Sequence, residues 1–279
     1  MYTVKVEKNS ARVKLAMSNP EKDDENFEEI KKIIKCVSKN QAFRLTFSGY
    51  TDMIYAFHRF FTLNNLDVIT NIVVGDKSIS KKWSEKPKDC SGNSLFEYIQ
   101  KYFDSNGVYE DRKGLYTELE KIDYLKCDDA PGEKADFIGI SSGNVKRLIL
   151  IHCKSYKGSG TGASYLERVL SQAVKNLLFL NRNINENIRV RGKKIYKNQK
   201  IKKKINFDEF NDKLKKLRED PLTEKEVWVV MAGGLIASQL KNKPNDPRTV
   251  LAKYILYSTW ASVSSANARF KVFCPEDDS

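Results

Sequence analysis

The run Leu148-Ile149-Leu150-Ile151 constrains this fold more than any other stretch of the chain. Four aliphatic residues in succession, with no polar alternation, read as a strand buried on both faces, as in the middle of a helix-covered sheet. The run continues directly into His152-Cys153-Lys154. Strand side chains alternate in direction, so His152 and Lys154 point to the same face. Two polar side chains therefore share one side at the end of a buried strand. Upstream, residues 135–140 (ADFIGI) read as a second strand opened by Asp136, and Ser141-Ser142-Gly143-Asn144 supplies a hairpin-like turn. Antiparallel pairing across that turn sets position 140 near 147 or 148, which brings Asp136 alongside residues 151–154.

The rest of the chain is divided near residue 85. Residues 2–7, 11–17, 42–48 and 67–74 read as strands, and residues 25–36 and 51–63 as helices. Residues 1–85 are thus expected to form a small α+β accessory module. The polar, turn-rich stretch 76–94 reads as the linker into a main domain over 86–279. There a helix starts at Ser94, strands follow at 121–127, 135–140 and 147–154, and a helix follows at 164–182. A helix near 207–218, a strand at 226–232, helices near 235–240 and 247–264, and a strand at 270–274 complete it. This order predicts an α/β domain with a mixed central sheet flanked by helices.

Composition narrows the chemistry. Hydrophobic residues make up 41% and charged residues 30% of the 279, as in a soluble globular protein. No apolar run approaches the ~18 residues of a membrane span, and the N-terminus lacks the pattern of a signal peptide. A cytoplasmic protein without a membrane partner is expected. Five cysteines without a CxxC pair, and two histidines, argue against a Cys/His zinc site or a disulfide framework. The net charge of +13 favours a polyanionic partner. Much of it sits in residues 187–204 (NIRVRGKKIYKNQKIKKK), where Arg189, Arg191, Lys193, Lys194, Lys202 and Lys203 are candidate phosphate contacts. A solvated loop is the other reading of that segment.

Asp136 and Lys154 suit phosphodiester hydrolysis. That reaction needs a hard cation on the phosphate, an activated water and positive charge where charge develops. A carboxylate binds Mg²⁺ well, and a lysine beside it orients or deprotonates the water. The simpler reading is a salt bridge at the end of a sheet.

The pattern Asp136, fifteen intervening residues, then His152-x-Lys154 resembles the PD-(D/E)xK nuclease superfamily, in the HxK variant of its last element. The literal PD dipeptide is absent. The flanking CDDAPGEKADFIGI and the downstream SQAVKNL are similar to nuclease domains of bacterial defence and restriction-type proteins. The resemblance covers roughly residues 94–274 and implies a restriction-endonuclease-like fold. It also implies a nuclease dependent on Mg²⁺ or Mn²⁺ that hydrolyses DNA in anti-phage defence or restriction. Asp136 would be a metal ligand and Lys154 the catalytic lysine. His152 stands where most members carry Asp or Glu, which brings in the alternative of a weak or inactive nuclease-fold subunit that binds DNA. The backbone carbonyl of Cys153, Glu97 on the first helix and Glu133 are the further candidate ligands, and Gln172 is a candidate catalytic neighbour on the following helix. DNA is the implied partner. A protein partner in a multi-subunit defence system, bound through residues 1–85, is expected, and a homodimer is left open.

Overall fold

The computed structural model describes residues 2–6, 13–17, 45–47, 50–56, 59–62, 68–87, 94–104, 114–129, 133–156, 161–180, 194–198, 200–242 and 246–277. The chain divides into two compact units, residues 1–68 and 69–279.

In the first unit, β1 (Tyr2–Val6) and β2 (Val13–Met17) pair antiparallel, with Val4 opposite Leu15. A separate antiparallel sheet contains β3 (Leu45–Phe47), β4 (Tyr50–Ala56) and β5 (Arg59–Thr62). The helix expected over 51–63 is in fact this β4–β5 pair, with Ile54 opposite Phe61 and Tyr55 opposite Phe60. The segment is dense in aromatic and β-branched residues, which prefer a pleated surface, and that preference outweighs the apolar spacing that suggested a helix. The helix expected over 25–36 lies outside the described residues.

The second unit is built on a seven-stranded sheet. After the short helix α1 (Val68–Ile72) come β6 (Val73–Asp76), helix α2 (Leu95–Asp104) and helix α3 (Leu115–Leu119). Then β7 (Tyr124–Cys127), β8 (Phe137–Ser142) and β9 (Lys146–Ser155) run as an antiparallel meander. Helix α4 (Ala163–Lys175), a 3-10 turn (Asn176–Leu180), β10 (Ile195–Lys197) and α5 (Phe207–Glu219) follow. The chain then adds β11 (Glu224–Ala232), α6 (Ala237–Asn242), α7 (Pro247–Ser265) and β12 (Arg269–Pro275). The strand order is β10-β7-β8-β9-β11-β12-β6. Pairing is antiparallel from β10 to β9 and parallel from β9 to β6. The sheet is mixed and flanked by helices, as the order of elements predicts.

The helix expected to begin at Ser94 does so for a visible reason. The Ser94 hydroxyl accepts the Glu97 N–H at 3.2 Å and donates to the Glu97 carboxylate at 2.8 Å, which satisfies a donor that helix geometry leaves free. The strand expected over 67–74 is displaced, because residues 68–72 wind into α1 and the strand runs from 73 to 76. It forms the sheet edge beside β12, with Val73 opposite Val272. The second unit therefore starts at residue 69, well before the expected boundary at 85, and the polar stretch after β6 belongs to it.

β9 lies at the centre of the sheet, and strand alternation gives its two faces different partners. Ile149, Ile151 and Cys153 join Trp228, Val230 and Ala232 of β11 in a core with Leu95, Phe96 and Ile99 of α2 and Leu115 and Leu119 of α3. Leu148, Leu150 and His152 face the opposite side, where α4 and α5 pack on β9 and α4 packs on α7. Each fully buried Leu or Ile contributes about 1.5–3 kcal/mol over an exposed one, so the register of β9 is strongly fixed.

Candidate metal centre

The register turns the hairpin into a site. Phe137 lies opposite Ile151 and Ile140 opposite Leu148. Asp136 therefore sits one step beyond the paired strand, beside residues 152–153. Its carboxylate Oδ2 accepts the backbone N–H of Cys153 at 2.7 Å. On its other side, its carbonyl accepts the Asp128 N–H at 2.9 Å, which carries the β7–β8 pairing one residue further.

The loop between β7 and β8 brings two more acids to this point. The Asp128 carboxylate accepts the Lys134 N–H at 3.2 Å, so both arms of the loop are tied near their base. Asp129 on one arm and Glu133 on the other then flank Asp136, with ligating oxygens all within 4.8 Å of one another. Asp136 is buried, Glu133 half-buried, and the Asp129 side chain keeps 24% of its surface exposed.

A strap from residues 83–87 crosses the same end of β9. The Ser155 hydroxyl donates to the Trp83 carbonyl at 2.6 Å. The Leu95 and Phe96 N–H groups, free donors at the start of α2, bond to the Ser84 and Glu85 carbonyls at 3.0 and 3.2 Å. The strap carries Glu85 to 2.6 Å from the Lys154 ammonium and Lys86 to 2.6 Å from Asp129. Lys154 thus stands at the edge of the acidic group, paired with an acid whose charge also reaches Asp136.

The electrostatics set Asp136 apart from other buried acids. Burial pushes its carboxyl up to about 7; the Cys153 N–H opposes this, while the charges of Glu133, Glu85 and Asp129 add to it. Glu226, fully buried at the far end of β11, accepts from the Trp228 indole at 2.8 Å and pairs with Arg147 at 3.1 Å and Lys271 at 3.3 Å. That acid pairs directly with two cations, whereas the charges of three other acids act on Asp136 and that of Lys86, held by Asp129, offsets them only in part. A divalent cation would remove the mismatch.

His152 is not a member of the acidic cluster. Its side chain is 3% exposed, its Nε2 has no hydrogen-bond partner, and burial lowers its pKa to about 4. The imidazole is neutral at pH 7. Cys153 contributes its N–H to Asp136, and burial raises its thiol well above the ordinary value. Glu97 caps α2 through Ser94. Gln172 is half-buried on α4. Among the basic candidates, Arg189, Arg191 and Lys193 lie outside the described residues. Lys194 pairs with Asp104 at 3.0 Å and lies over the Tyr196 ring. Lys203 pairs with Glu209 at 2.7 Å, and Lys202 is exposed.

The expected pair, Asp136 and Lys154, is brought to one end of β8 and β9. Asp129, Glu85 and Lys86 join them without having been singled out. Asp129 is the second acid of the CDDAPGEKAD stretch, so the density of acids there was its signal. Glu85 and Lys86 had none, since their place depends on the Trp83–Ser155 contact across the fold.

Comparison of the chain with protein-family models, curated proteins and solved structures finds no match. The chemistry of the donors therefore carries the argument. Three carboxylates form a hard oxygen set that suits Mg²⁺ or Mn²⁺ and does not select a soft ion. The cluster can coordinate a divalent metal ion.

Proposed function

We propose that this protein is a divalent-metal-dependent nuclease that hydrolyses DNA phosphodiester bonds, in anti-phage defence or restriction, and that it belongs with the PD-(D/E)xK nucleases. The observation that carries the reading is the meeting of Asp129, Glu133 and Asp136 within 4.8 Å at the strand end that bears Lys154. The succession of helices α2 and α3, the antiparallel strands β7 to β9, helix α4 and, after β10 and α5, the parallel strand β11 supports the resemblance. The net charge of +13 supports a polyanionic substrate.

Asp129, Glu133 and Asp136 would hold Mg²⁺ or Mn²⁺, which when bound supplies Lewis-acid stabilisation of the phosphate and lowers the pKa of a bound water. The protein's own groups do the remaining work. The Cys153 N–H fixes one oxygen of Asp136 and so sets the direction of the carboxylate. Lys154 orients the attacking water and donates to the charge that develops on the phosphate oxygens. Glu85 holds the Lys154 ammonium at the site edge. The clustered donor set is purely carboxylate, with the buried His152 outside it.

The test is cleavage of supercoiled plasmid with Mg²⁺ or Mn²⁺. Wild-type protein should nick or linearise it, and Lys154→Ala should lose about 10²-fold or more of the rate. If wild type and variant leave DNA intact with every metal, this chain alone is not a nuclease. Salt-sensitive DNA binding that survives Lys154→Ala would then favour the second reading, a DNA-binding subunit on the same scaffold. The burial of His152, at the position where an acid is expected, is the observation on its side.

A further inference from the structure

Lys126 is the one lysine of β7, and its side chain is fully buried. Its ammonium lies 2.9 Å from Asp128 Oδ1 and 3.0 Å from the Cys127 carbonyl, and 5.8 Å from the centre of the Phe207 ring. Asp128 is buried as well, with its side chain 5% exposed. An ion pair removed from water this completely is a poor source of stability. Replacing such a pair by apolar residues of similar volume is often neutral or stabilising. Its presence is better explained by what the pair holds in place.

What it holds is the loop of the candidate metal centre. Lys126 fixes Asp128 through Oδ1, which leaves Oδ2 to accept the Lys134 N–H on the opposite arm at 3.2 Å. The backbone N–H of the same Asp128 donates to the Asp136 carbonyl at 2.9 Å. One residue thus ties together both arms and the buried acid. Its immediate neighbour in sequence is Asp129, and the immediate neighbour of Lys134 is Glu133. Both ties therefore act one residue away from the two acids that flank Asp136.

We propose that the buried Lys126–Asp128 pair is a positioning device, which sets Asp129 and Glu133 around Asp136 at the spacing a divalent ion requires. The inference rests on the metal-centre reading above and adds to it the residues that shape the centre without touching the ion. Neither Lys126 nor Asp128 is itself a ligand. Their contribution is to hold the loop in its binding geometry before the ion arrives, so that the ion does not have to order the loop itself.

The experiment is calorimetric titration of the whole protein with Mn²⁺, beside thermal melting in EDTA. Lys126→Met combined with Asp128→Ala removes both charges together, so that no buried charge is left unpaired, and deletes the acceptor of the Lys134 N–H. It should melt cooperatively, near wild type, while binding Mn²⁺ about 10- to 100-fold more weakly, the range seen when outer partners of metal ligands are removed. Lys126→Met combined with Asp128→Asn restores an oxygen for the Lys134 N–H and should regain most of the affinity. Lys134→Pro deletes the same hydrogen bond from the loop side, with the buried pair intact, and should weaken binding in the same way. Wild-type affinity in the first and third variants overturns the assignment. If wild-type protein and Asp136→Ala alike give no Mn²⁺ heat, the metal-centre reading fails and this inference with it. If only Asp136→Ala loses binding, the centre stands and the positioning role is refuted.

Discussion

Replacing Asp136 by Asn tests the electrostatic description of the site without any assay of activity. The carboxyl moves from its ordinary 3.8 to about 7 on folding, chiefly through burial. Between those values the native state keeps a proton that the unfolded chain has released. Stability therefore falls as pH rises through this window and levels off above about 7. At ~1.36 kcal/mol for each tenfold change in proton affinity, the full penalty is about 4 kcal/mol. Asp136→Asn removes the ionisation and still offers an oxygen to the Cys153 N–H. Urea denaturation in EDTA, at pH 4 and pH 8, compares the two proteins. The advantage of the variant should grow by up to about 4 kcal/mol across that range. Titrating groups that do not interact with Asp136 are common to both proteins and cancel in the difference. At pH 8, Mn²⁺ at a hundred times its dissociation constant should return about 2.7 kcal/mol to wild type and little to the variant. A difference that stays constant from pH 4 to pH 8 would refute the claim that burial makes ionisation of Asp136 costly to the fold.

His152 makes the opposite prediction on the acid side. Its pKa falls from 6.5 to about 4 on folding, so the unfolded chain takes up a proton that the native state refuses, and stability falls as pH drops from 6.5 towards 4. His152→Leu should remove about 3 kcal/mol of that acid loss, measured by denaturation at pH 7 and pH 4; an unchanged acid limb would contradict the burial argument. Gly233→Ala should cost about 1–3 kcal/mol in thermal unfolding. Gly233 has φ +78°, and an added Cβ would run into the Tyr156 carbonyl just beyond β9; a neutral substitution would mean that the turn after β11 relaxes freely.

The sheet was legible because its central strands advertise themselves. Leu148–Ile151 reads as a buried strand and the Ser141–Asn144 turn points to its partner, so the approach of Asp136 to residues 151–154 follows from counting, while its bond to the Cys153 N–H does not. Local signals served worse where two preferences compete. Residues 50–62 carry apolar residues at spacings that suit a helix, yet their aromatic and β-branched content gives β4 and β5. The edge strand β6 was visible as a strand but not as part of this sheet, since its partner lies at the far end of the chain.

The site divides in the same way. Asp136 and Lys154 are set by register, which sequence encodes. Asp129 and Glu133 converge because Asp128 bonds Lys134 and Asp136, a closure that depends on a lysine buried in β7. Glu85 and Lys86 arrive by a strap whose polar composition reads as a linker. Glu97 illustrates the converse: an acid on the right helix is used by its own N-terminus.

Anomalous diffraction from a crystal soaked in Mn²⁺ addresses the central claim most directly. The account predicts one strong peak bounded by the carboxylates of Asp129, Glu133 and Asp136, with Lys154 at its edge. A map with no peak among these three carboxylates, at Mn²⁺ concentrations that support DNA cleavage, would contradict it.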